Sequence, residues 1–123
     1  MKMHIMPVRR NLKFHVPDEQ VLNWHNWGPT VTQFFNTLSL FFPEGERFFI
    51  NSVRKYRDRI DDPELQEAVR HFIGQEAMHG REHEDYNQKM VEAGLPVDTQ
   101  ELIVTKLLDA VSRYLPDSMQ LAA

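Results

Sequence analysis

The chain has 123 residues, 41% of them hydrophobic and 26% charged, with a formal net charge of −4 and no cysteine. This is room for one globular domain with one core. It excludes a disulfide framework and a thiolate metal site, and it argues against a nucleic-acid partner, which wants a clustered basic face. No apolar run approaches the roughly 20 residues of a membrane span. The basic opening segment lacks the apolar stretch of a signal peptide, so a cytoplasmic location is expected.

Residues 1–28 show no sustained period and read as an irregular arm, laid on the helices by aromatics such as Trp24 and Trp27. From 30 to 60 the pattern is helical. Val31, Phe35, Leu38, Phe42, Phe49, Val53 and Tyr56 form one apolar stripe. Pro43 interrupts it and predicts a kink or restart, because proline removes a helical hydrogen bond. Near 62 the signals are clear. Asp62 caps, Pro63 fits the first helical position, and Glu64 suits the positive helix end. The second helix, 63–93, has the stripe Leu65, Val69, Phe72, Ile73, Glu76, His79, His83, Tyr86 and Met90, and Gly94 with Pro96 ends it. Asp98 with Glu101 reads as a cap for a third helix, 99–114. Pro116-Asp117 could open a fourth element, and the sequence reads as truncated after 117. No strand signal, repeat or low-complexity tract is evident. The expected fold is therefore all-α, a single helical domain built on a long antiparallel hairpin plus a shorter third helix.

Two features of the hairpin carry chemistry. Glu76 and His79 form Glu-x-x-His, a carboxylate and an imidazole one turn apart on one face, able to grip one metal ion. Glu46 and Glu76 each lie about 15 residues from the turn near 61–62, hence ~22 Å along the axis, and are level across the hairpin. Both fall on an apolar stripe, where an unpartnered carboxylate is costly and two would repel. A cation between them resolves the conflict. Glu44 competes with Glu46, but measured round the helix it points away from the stripe. Glu46 has a second reading too, as a first-turn acid of a helix restarted after Pro43. His83 stands at i+4 from His79, a chelating spacing. It is seven residues from Glu76, ~10 Å along the axis, which is long for one ion. It is therefore a ligand in a site displaced toward it, a supporting partner or proton carrier, or a hydrogen-bonded core histidine. His4, His15, His25 and His71 carry no spacing signal. With no thiolate available, the donors suit iron first, with manganese or zinc as alternatives.

At Phe42-Pro43-Glu44-Gly45-Glu46-Arg47-Phe48-Phe49 and at Gln75-Glu76-Ala77-Met78-His79-Gly80-Arg81-Glu82-His83-Glu84-Asp85-Tyr86-Asn87 the chain resembles the bacterial family of predicted metal-dependent hydrolases. The resemblance covers most of residues 7–123. It implies half of a ferritin-like four-helix bundle, a bound metal pair, and Glu46, Glu76 and His79 as ligands with His83 beside them. The same motifs resemble those of di-iron oxidases and oxygenases. Family members are longer, and their second half supplies further ligands. A dimetal site of this type takes a Glu from each of two helices and a Glu-x-x-His from each of two more. This sequence offers one of each, so a homodimer or a missing C-terminal half is the expected completion. The expectations are then a metal-dependent hydrolase acting on a small molecule, a di-iron oxidase or oxygenase, or a non-enzymatic helical dimerisation module or fragment.

Overall fold

A computed structural model describes residues 6–123; the first five residues of the expected arm, His4 among them, lie outside it. The chain is all-helical with no strand among the described residues. A short 3-10 turn, Asp18–Gln20, precedes α1 (Pro29–Arg57), α2 (Pro63–Glu92), α3 (Val97–Tyr114) and α4 (Asp117–Ala122).

Local chemistry sets the ends of these helices. Gly28 precedes α1 at φ 89°, the left-handed region that disfavours a side chain, and Pro29 takes the first helical position. Arg54, Lys55 and Arg57 face the negative end of the same helix. Asp62 caps α2 by accepting from the backbone N–H of Glu64 at 2.9 Å and of Leu65 at 3.2 Å. At the far end Gly94, φ 85°, closes a Schellman turn. Its N–H bonds the Val91 carbonyl, and the N–H of Leu95 bonds that of Met90. α3 begins at Val97 behind Pro96 without a side-chain cap, so the expected Asp98/Glu101 cap does not form. Glu101 instead turns toward α2 and accepts from Asn87 Nδ2 at 3.2 Å.

α1 and α2 make the most extensive helix contact. Asn36 meets Tyr86, Ser39 meets His83 and Asn87, and Glu46 meets His79, so the two helices run antiparallel. α3 lies against both, and α4 returns onto α1. Val21, Leu40, Met90 and Val97 form an apolar core at the end of the hairpin away from the turn, with Val16 and Tyr86 packed on it. The arm is tied down there by polar contacts. Asn36 is 1% exposed; its Nδ2 donates to the Val21 carbonyl, and its Oδ1 accepts from Trp24 and Tyr86. Phe14 N–H donates to Glu82, and Lys89 donates to the Val16 carbonyl.

The inner face of α1 corrects the expected stripe. The buried line is Thr32, Asn36, Ser39, Pro43, Glu46 and Ile50, a heptad-like alternation of four and three that is mostly polar. Phe35, Leu38, Phe42 and Phe49 sit round the helix from it and stay 39–41% exposed. Trp27 is 81% exposed, so it does not anchor the arm as expected. The physical reason is partnering. Asn36 and Ser39 find partners on α2, Thr32 finds them at His25 and Gly28, and among the described residues no element covers the aromatic side of α1 fully.

Candidate metal centre

Glu46 comes from the buried line of α1, and His79 and His83 from consecutive turns of α2. Each offers a ligand atom, and these atoms all lie within 4.8 Å of one another. Gly80 makes the approach possible. A Cβ there would stand 2.6 Å from Glu46 Oε2. Phe42 walls the cluster, its ring stacked on His83 at 4.5 Å between centroids.

Glu46 is 3% exposed, and neither of its carboxyl oxygens has a hydrogen-bond partner. His79 Nδ1 lies 2.6 Å from Oε1, but the contact lacks hydrogen-bond alignment. Buried carboxylates are ordinarily satisfied, and leaving one bare is costly. Desolvation, followed by the neighbouring carboxylates of Glu76 and Glu84, lifts the Glu46 carboxyl to about 7. Burial, followed by the nearby His79, lowers the His83 imidazole to about 4. A neutral imidazole beside a bare buried carboxylate is a donor set that fits a divalent cation.

Glu76 stands outside the three-residue group, though near enough for its charge to raise Glu46. The cluster thus lies toward His83, along the hairpin from the Glu76/His79 pair. Glu44 pairs with Arg47 at 2.8 Å and keeps 27% of its side chain in water. Sequence reasoning missed Gly80, Ser39 and Asn87. Ser39 Oγ lies 2.8 Å from His83 Nδ1 and donates to Asn87 Oδ1 at 2.8 Å. The available signal was Pro43, whose missing N–H leaves the Ser39 carbonyl without its helical donor. Asn87 Nδ2 supplies one at 3.2 Å.

The cluster opens onto a groove of about 570 Å³ whose walls include Phe14, Trp24, Phe35, Leu38 and Phe42. Among the described residues no helix is long and apolar enough to cross a membrane.

An all-helical chain with a buried carboxylate and two imidazoles converging between its long helices belongs to the class of helical proteins with a candidate metal site. The match that gives it a family extends over residues 8–123: the chain belongs to the family described as predicted metal-dependent hydrolase. No curated protein and no solved structure matches it.

Proposed function

We propose that this chain is a metal-dependent hydrolase in which Glu46, His79 and His83 hold a divalent cation and Glu76 serves a second metal position beside it. The observation that carries the reading is the buried Glu46 carboxylate, bare on both oxygens and facing two imidazoles. When bound, such a metal polarises a carbonyl or phosphoryl oxygen and lowers the pKa of a coordinated water. The chain's own residues do the rest. Glu46 and the two histidines supply oxygen and nitrogen donors, Gly80 leaves space for the carboxylate, and the aromatic groove gives the reacting centre an apolar wall.

The donors suit iron first, with manganese and zinc as alternatives. A ferritin-like dimetal site needs twice the ligands offered by Glu46 and Glu76-x-x-His79. We take the remainder to come from a second copy or from further polypeptide, docked on the uncovered aromatic side of α1. We take the chain's substrate to be a small molecule and its place of work to be the cytoplasm. A second reading, a di-iron oxidase or oxygenase, draws on the same thiolate-free donor set.

The test is elemental analysis of the purified protein beside its mass in solution. Stoichiometric metal in wild type, lost in Glu46→Gln and His79→Ala with the helical signal intact, is the expected result. Wild-type protein that stays metal-free after incubation with Fe(II), Mn(II) and Zn(II) in turn would sink the proposal. Iron-loaded protein with a visible band that bleaches on reduction would move the assignment to oxidation.

A further inference from the structure

Pro43 sits inside α1 and has no N–H, so the Ser39 carbonyl one turn earlier loses its helical donor. Asn87, 3% exposed on α2, fills the vacancy with Nδ2 at 3.2 Å. Its second Nδ2 hydrogen goes to Glu101 Oε1 on α3, also at 3.2 Å. Two acceptors on one side fix which way the amide faces, since the flipped amide would set its oxygen against a carbonyl and a carboxylate. Asn87 Oδ1 therefore faces Ser39, and the single Ser39 hydroxyl hydrogen is committed to it at 2.8 Å. Ser39 Oγ can then only accept from His83 Nδ1, 2.8 Å away.

The geometry points to Ser39 and Asn87, held by Pro43 and Glu101, as positioning residues that lock His83 as its Nδ1–H tautomer and present the Nε2 lone pair to Glu46 and His79. The inference rests on the metal-site reading for its purpose but not for its chemistry. With His83 Nε2 as an acceptor, His79 must donate its Nε2–H across the 3.1 Å that separates the two nitrogens. His79 Nδ1, left without a hydrogen, then faces Glu46 Oε1 at 2.6 Å, two acceptors that repel until a proton or a cation lies between them. The network thus sets the His79 Nδ1 and Glu46 lone pairs side by side, as a cation requires, with the His83 Nε2 pair accepting from His79. It also accounts for a proline in the middle of a long helix, because Pro43 frees the one carbonyl that orients Asn87.

Long-range nitrogen–proton NMR of the metal-free protein reads the tautomers directly. Wild type is expected to show His83 protonated at Nδ1 and His79 at Nε2. Ser39→Ala is expected to release His83 into the Nε2–H form or an exchanging mixture, and Ser39→Thr, which keeps the hydroxyl, to retain Nδ1–H. Finding His83 as Nε2–H in wild type, or unchanged in Ser39→Ala, would overturn the inference, whatever the protein binds. Calorimetric titration with Zn(II) then separates the two readings. A Ser39→Ala affinity ~10–100-fold below wild type supports both. Equal affinity in the two overturns the positioning role and leaves the metal site standing. A wild type that takes up none of Zn(II), Fe(II) and Mn(II) but shows the expected tautomers retires the metal site and leaves the hydrogen-bond order intact.

Discussion

Glu46 and His83 titrate in opposite senses, and this gives the metal-free protein an unusual pH profile. Between its ordinary 4.5 and about 7 the native Glu46 keeps a proton that the unfolded chain has released, so stability falls as pH rises through that window. Between about 4 and its ordinary 6.5 the unfolded chain carries a proton on His83 that the native state lacks, so stability rises with pH there. Where the windows overlap the slopes cancel. Glu46→Gln removes only the falling arm. Urea unfolding in a chelating buffer should be nearly flat with pH for wild type across the overlap. In the variant it should gain on the order of 2 kcal/mol from the acid end to neutrality. A variant as flat as wild type would show that His83 is not the opposing group. Gly80 offers a second test at this scale. A methyl there meets Glu46 Oε2 at 2.6 Å and must push the carboxylate aside. Alanine also gains about 0.8–1.0 kcal/mol of helix propensity over glycine. Gly80→Ala should therefore fold at least as stably while losing tenfold or more in metal affinity, read by calorimetry; unchanged affinity would mean the carboxylate does not ligate.

The helices themselves were largely legible, because their ends are local chemistry: Asp62-Pro63 opens α2 and Gly94 closes it. Which face of α1 points inward was not legible. Hydrophobic periodicity follows Phe35, Phe42 and Phe49, whereas burial follows Asn36, Ser39 and Glu46. A helix whose inner line is polar inverts the usual inference, and only the partner residues on α2 reveal it. Helix rise set Glu46 level with Glu76, whereas the structure sets it against His79 and Gly80, a shift toward His83 that was not legible. It depends on the space at Gly80 and on how α1 is rotated. α4, opened at Pro116-Asp117, is tied down by Gln120 and Asp117. Gln120 is 3% exposed, donates to the Ser112 and Leu115 carbonyls, and accepts from Lys55 at 2.7 Å, while Lys55 also pairs with Asp117. Six residues are too few for a helix to stand alone. Gln120→Ala should cost about 1–3 kcal/mol and erase the hydrogen-exchange protection of α4 first, with α2 unaffected; protection that persists in α4 would shift the credit to the Lys55–Asp117 pair.

At the scale of the molecule, the aromatic side of α1 and the incomplete ligand set are one problem. Phe35, Leu38, Phe42 and Phe49 keep 39–41% of their surface in water along a single helix, with Phe34 and Phe41 further round at 61% and 48%. A contiguous apolar face of this kind marks an interaction surface in a folded protein. Full burial of each side chain contributes about 1.5–3 kcal/mol. Two copies meeting face to face would bury the row twice, offsetting the several kcal/mol that association costs. A two-fold axis would also bring a second Glu46 and a second Glu76-x-x-His79 to the first, which is the ligand count a dimetal bundle requires. The expected outcome in sedimentation equilibrium is a dimer at micromolar concentration. Charging the row with Leu38→Glu and Phe49→Glu together should give a helical monomer that binds metal at least tenfold more weakly, although neither residue offers a ligand. A double variant that stays dimeric would place the interface elsewhere. One that is monomeric but binds metal as wild type does would show that Glu46, His79 and His83 suffice within a single chain.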